Sequence, residues 1–156
     1  MTEIIFAEGE PAMEAAGAAI GQVMQGRGVI YLSGDLGAGK TTLSRGLIRA
    51  LGHAGAVKSP TFTLVEPYEL NGRAIYHFDL YRLIDPEELE FLGIRDYFTD
   101  DSLCLIEWPE KGEGVLPRPD MTITITATDS GRRLAVEGHS AHGQGACRQL
   151  QTQDDA

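Results

Sequence analysis

Apolar and polar positions change period several times along this chain, and each change marks an element. Residues 3–7 (Glu-Ile-Ile-Phe-Ala) predict a short strand. Pro11 then suits the first turn of a helix, where its missing N–H costs nothing. Met13, Ala16, Ile20 and Val23 recur at helical spacing, and Gly26 reads as the stop. Gly28–Ser33 (GVIYLS) is apolar, β-branched and bounded by glycines, the pattern of a buried strand. A glycine-rich turn leads into a helix from about Lys40 to Leu51. Leu43, Leu47, Ile48 and Leu51 make its apolar face and Gly52 ends it.

The next stretch has a different rhythm. Residues 62–70 and 73–81 are two β-rich runs joined by Asn71-Gly72, a pair that tolerates the positive φ of a tight hairpin. Asp85-Pro86-Glu87-Glu88 starts a short helix that Gly93 ends. Leu103–Ile106 reads as a buried strand running into Glu107-Trp108-Pro109. Residues 120–128 alternate Thr with Met, Ile and Ala, and after Asp129-Ser130-Gly131 a second run, 132–138, completes another hairpin. The whole predicts an α/β fold that begins with parallel strands and carries antiparallel hairpins. No period of 20–50 residues repeats, so the chain is not a solenoid. It reads as one domain over 1–138. Residues 139–156 are poor in apolar positions. They predict a disordered or weakly helical tail, removable after His139 without loss of activity.

Charge sharpens the picture. The net charge is −10, and residues 85–113 hold ten acidic and two basic residues, nearly all of the excess. Autonomous grip on nucleic acid calls for a basic face, so DNA is not an expected partner, and any RNA is held by a partner protein. The acidic third reads first as a solvated surface and, more sharply, as a face for a basic partner. No stretch is long and apolar enough to span a membrane. The N-terminus carries acids where a signal peptide carries basic residues. Cys104 and Cys147 build neither a disulfide framework nor a metal site. A cytoplasmic protein is expected.

Gly34-Asp35-Leu36-Gly37-Ala38-Gly39-Lys40-Thr41 matches G-x-x-x-x-G-K-[ST] in full, after a predicted strand and at the start of a predicted helix. In such a loop, backbone N–H groups converge on phosphate oxygens and the helix N-terminus adds its positive dipole end. Lys40 then places a point charge on the β- and γ-phosphates, and the Thr41 hydroxyl ligates Mg²⁺. A second acid is needed beside the metal. Asp79 and Glu107 both end apolar runs, and spacing alone does not rank them. Ser59-Pro60-Thr61-Phe62, in the loop after the P-loop helix, occupies the region where nucleotide switches sense the γ-phosphate. Arg82 is a candidate cation for transition-state charge, with a surface ion pair as the plain alternative. The single tryptophan, Trp108, adjoins Glu107. His139 and His142 read as a solvated pair.

These segments together resemble one family. GDLGAGKTT over 34–42, SPTFT over 59–63, HFDLYR over 77–82 and IEWPEK over 106–111 appear in the order and spacing of TsaE, the small bacterial ATPase of tRNA threonylcarbamoyladenosine synthesis. The match spans about residues 10–138, and the HFDLYR and IEWPEK segments make it specific. The resemblance implies a P-loop NTPase-type fold with a mixed central sheet and flanking helices, ATP as nucleotide and Mg²⁺-dependent hydrolysis, slow in isolation. It implies work with TsaD and TsaB, which place threonylcarbamoyl on the adenosine beside the anticodon. The tRNA is then met only through that complex, and hydrolysis supports repeated turnover rather than the transfer itself. Carried over by motif position, Asp35, Leu36, Gly37, Ala38, Gly39, Lys40, Thr41, Thr42 and Trp108 bind the nucleotide, with Thr41 and Glu107 on Mg²⁺. Lys40, Asp79 and Glu107 are catalytic, and Ser59 and Thr61 belong to a switch-like loop.

The alternative on the residues alone is a small P-loop kinase. The region where an Arg-rich lid would fit, 85–113, is acidic, which argues against it. A guanine-reading Asn-Lys-x-Asp motif is absent, which argues against a GTPase.

Overall fold

A computed structural model describes residues 2–35, 37–58, 60 and 63–155, with side chains in the last helix described through Gln151. The strands are β1 (Thr2–Ala7), β2 (Gly28–Ser33), β3 (Val65–Leu70), β4 (Arg73–Asp79), β5 (Ser102–Glu107), β6 (Met121–Ala127) and β7 (Arg132–Gly138). The helices are α1 (Gly9–Val23), α2 (Lys40–Ala50), α3 (Glu87–Phe91) and α4 (Ala141–Asp155), with 3-10 turns at Ile94–Tyr97 and Pro109–Gly112.

All seven strands form one mixed sheet in the order β1-β7-β6-β2-β5-β4-β3. The centre, β6-β2-β5-β4, is parallel, and the hairpins β6–β7 and β3–β4, with β1 on β7, supply the antiparallel flanks. This is the expected mixed α/β architecture. Pro67 is accommodated because β3 is an edge strand, where a missing ladder donor is tolerated. The hairpin around Asn71 (φ +54) and Gly72 (φ +80) forms as predicted, but β4 ends at Asp79 rather than residue 81.

Strand alternation sorts the core into two layers. Ile30, Leu32, Ile75, Leu103, Leu105, Met121, Ile123 and Ile125 face α1, α2 and α4. Phe78, Cys104 and Ile106 point the other way, under Leu89 of α3 and Ile94 of the first 3-10 turn. Thr124 and Thr126 of β6 are exposed, so the antiparallel wing leaves one face to water, which explains the Thr alternation.

Helices α1 and α2 approach closely because glycines face each other's backbone. A Cβ on Gly17 would stand 2.1 Å from the Leu43 carbonyl oxygen, and one on Gly46 would stand 2.1 Å from that of Glu14. The Arg45–Glu14 ion pair, Nε to Oε1 at 2.7 Å, ties the same two helices at their rim.

The C-terminal segment, expected to be disordered or weakly helical, is a helix that packs on the domain. It forms α4, whose Ala146, Cys147 and Leu150 are buried in the main core. Sparse apolar content concealed three residues on one helical face, and the small glycines let the helix lie close. A Cβ on Gly143 would stand 1.7 Å from the Asp120 carbonyl oxygen. The start of α4 is fixed by Ser140: its Oγ accepts the Gly143 N–H at 3.1 Å and donates to Asp120 Oδ1 at 2.6 Å. His139 and His142 are engaged rather than merely solvated, by Thr122 Oγ1 at 2.9 Å and the Arg27 carbonyl at 3.0 Å.

Candidate phosphate-binding active site

The loop between β2 and α2 has the backbone a phosphate cradle requires. Gly37 (φ +78) and Gly39 (φ +108) occupy the left-handed region, which L side chains rarely adopt. Gly39 is also the N-cap of α2, so the first free N–H groups of that helix open on the loop. The loop is stapled from a distance: Arg132 Nε donates to the Ala38 carbonyl at 3.0 Å.

Lys40 is 6% exposed. Its Nζ donates to the carbonyls of Gly34 and Asp35 and lies 4.2 Å from the centre of the Trp108 ring. The cation is thus held over the loop by backbone oxygens and an aromatic face. Trp108 adopts a left-handed backbone (φ +58, ψ +51), a costly conformation for a bulky residue at about 1–3 kcal/mol. Its ring also meets Tyr81, centroids 5.1 Å apart.

The two acids that spacing alone left unranked stand side by side. Asp79 and Glu107 are register partners at the C-terminal ends of the parallel strands β4 and β5. Leu32, near the end of β2, pairs with Glu107 on the other side. The strand that feeds the phosphate loop therefore abuts the strand that ends in Glu107, the placement open parallel sheets favour for ligands. Asp79 is 5% exposed and Glu107 2%. Asp79 Oδ1 accepts the Tyr81 N–H at 3.1 Å, and Glu107 Oε2 lies 2.6 Å from His77 Nε2.

A cavity of about 370 Å³ gathers these groups, lined by Gly37, Gly39, Lys40, Thr41, Thr42, Asp79, Tyr81, Arg82, Glu107 and Trp108. A second recess of about 220 Å³ shares Gly37, Gly39 and Thr42 and is lined also by Glu10, Met13 and Arg132. Leu36, Ser59 and Thr61 lie outside the described residues. Among the described residues, the Leu64 N–H donates to the Pro60 carbonyl at 2.8 Å, and the Asp79 N–H to the Leu64 carbonyl at 2.9 Å.

The donor set fits a small hard cation. Thr41, Asp79 and Glu107 offer only oxygen, and no group of three or more His, Cys, Asp or Glu is clustered as a metal cage among the described residues. Mg²⁺ is characteristically held this way, by one or two carboxylates completed by water and phosphate. Three residues of the site had no role assigned from sequence. His77 had a readable signal, two positions before Asp79 and hence on the same strand face. Tyr81 was legible only as part of its motif. Arg132 had no signal, since its bond spans 94 residues.

A family model for threonylcarbamoyl adenosine biosynthesis protein TsaE matches residues 7–135. The tRNA threonylcarbamoyladenosine biosynthesis protein TsaE of Haemophilus influenzae is 63% identical over 108 residues, covering 69% of this chain and 68% of the relative. The protein of the same name from Bacillus subtilis is 38% identical over 128 residues, 81% of this chain and 80% of the relative. The crystal structure of Bacillus subtilis YdiB superposes with a TM-score of 0.82 at 27% identity, covering 99% of this chain and 97% of that one.

Proposed function

The chain belongs to the TsaE family of tRNA threonylcarbamoyladenosine biosynthesis proteins, and on that footing we propose that it is a Mg²⁺-dependent ATPase acting with TsaD and TsaB. The observation that carries the reading is the single cavity lined by Lys40, Thr41, Asp79 and Glu107 around a P-loop backbone. Phosphoryl transfer asks little covalent chemistry of a protein, so positioning and electrostatics suffice.

The nucleotide's phosphates lie on the loop N–H groups and the N-terminus of α2. Lys40 exchanges the Gly34 and Asp35 carbonyls for phosphate oxygens. Thr41 and Glu107 hold Mg²⁺, which when bound neutralises charge shared between the β- and γ-phosphates. Asp79, beside Glu107, orients the attacking water, and Arg82 faces the same cavity to meet developing negative charge. The recess bounded by Glu10, Met13 and Arg132 shares Gly37, Gly39 and Thr42 with the phosphate cavity and takes the nucleoside. Trp108 and Tyr81 close the phosphate side.

The partner half of the reading rests on surface chemistry. Ile84 is 92% exposed and Phe91 89%, among Asp85, Glu87, Glu88 and Glu90 and a few residues beyond cavity-lining Tyr81 and Arg82. Leu89 alone anchors α3 in the core, so Ile84 and Phe91 are spare for a partner with a basic rim. The tRNA is met through that partner, and the site of action is the cytoplasm.

Product analysis tests the chemistry. ADP and inorganic phosphate in equal amounts, lost on chelation of Mg²⁺, are expected. Appearance of the γ-phosphate on a small acceptor would replace the ATPase reading with a kinase.

A further inference from the structure

We propose that His77 is the positioning residue of Glu107, holding its carboxylate in the attitude in which it meets Mg²⁺. The inference rests on the Mg²⁺-ATPase reading and adds a residue to it. Strand geometry creates the relationship. His77 pairs with Leu105 across β4 and β5, and Glu107 lies two residues further on, so the two side chains share one face as diagonal neighbours. His77 Nε2 lies 2.6 Å from Glu107 Oε2, and His77 is fully buried. A carboxylate only accepts, so Nε2 carries the proton and donates it.

The other ring nitrogen is the telling feature. His77 Nδ1 is buried and has no hydrogen-bond partner among the described residues. A side chain that only filled space beside Ile75 and Leu105 would be apolar and would leave no orphan nitrogen. Among the described residues, the ring's one hydrogen bond goes to Glu107. One carboxylate oxygen is thereby tied back while Glu107 still lines the cavity. Lys40 and Arg82 line the same cavity, and with that tie removed their charges compete for the carboxylate. Outer partners of metal ligands characteristically change metal affinity or activity about 10–100-fold when removed.

The test titrates Mg²⁺ into the full-length chain saturated with ADP, followed by calorimetry, for wild type, His77→Phe, His77→Gln and His77→Asn. Phe keeps the ring and deletes the donor. Gln carries an amide N–H at the depth of Nε2, and Asn is too short to reach. We expect His77→Phe to weaken Mg²⁺ about 10–100-fold while ADP affinity without Mg²⁺ is unchanged, and His77→Gln to restore Mg²⁺ binding to within about threefold. If His77→Phe does not fold, the Gln and Asn variants decide, with Gln near wild type and Asn weak. Equal Mg²⁺ affinity in wild type and His77→Phe, or in Gln and Asn, would overturn the role of His77 and leave the ATPase reading intact. A wild-type chain whose ADP complex takes no Mg²⁺ would overturn both.

Discussion

Asp79 and Glu107 end neighbouring parallel strands at the same register level, both more than nine-tenths buried, on the edge of one cavity. The two carboxylates share that cavity with the cations of Lys40 and Arg82. Their juxtaposition ties the fold to the chemistry, because only the β4–β5 pairing brings together acids 28 residues apart. Replacing either by its amide keeps the shape and removes the charge. For Glu107→Gln and Asp79→Asn we expect hydrolysis to fall by about 100-fold or more, the scale for losing one preorganised electrostatic group. Nucleotide binding is partly kept in both. Phosphate release and ADP binding measured on the same preparations check this.

Helix α4 is part of the domain, so truncation after His139 is costly. Cys147 and Leu150 are buried against β7 and its neighbours, and each buried apolar side chain contributes about 1.5–3 kcal/mol. Removing 140–156 should lower stability by about 3 kcal/mol or more, a large part of an ordinary domain's margin. Urea unfolding of the full and shortened chains measures it. Equal midpoints would mean that α4 adds nothing to the core.

The α1–α2 crossing depends on having no side chain at Gly46. A methyl group there would meet the backbone of Glu14, which cannot yield as a side-chain tip can. Gly46→Ala should destabilise the fold by about 1–3 kcal/mol, the cost of overpacking. The urea midpoint reads the change.

The two hairpins, the phosphate loop and the buried strand before Glu107 were legible because each is written in local pattern: Asn71-Gly72, alternating Thr, glycines before Lys40. What was not legible is set by distance. The adjacency of Asp79 and Glu107 is a product of strand order, and the Arg132–Ala38 bond joins opposite ends of the chain. The packing of the tail helix was not legible because composition averages over faces. A helix whose buried apolar side chains, among those described, are Ala146, Cys147 and Leu150 looks polar when counted whole.

Burial pushes the Cys104 thiol up to about 12 from its ordinary value of 9.0, against a smaller opposing effect of the Ser102 hydroxyl. The unfolded thiol ionises first as pH rises, so this contribution to stability is full below about pH 9 and is lost between about pH 9 and 12. At pH 8 Cys104 should resist alkylation in the native protein and react once urea unfolds it. Mass spectrometry of iodoacetamide-treated samples distinguishes the two. Rapid native labelling at Cys104 would contradict the buried β5.

The decisive measurement is the rate of Mg²⁺-dependent ATP hydrolysis, with and without a TsaD–TsaB complex and with Lys40→Ala as the control. A partner-dependent ATPase gives a low rate for the chain alone, a clear rise with the complex, and loss of both in Lys40→Ala. A rate indifferent to the complex, or one that survives in Lys40→Ala, would contradict it.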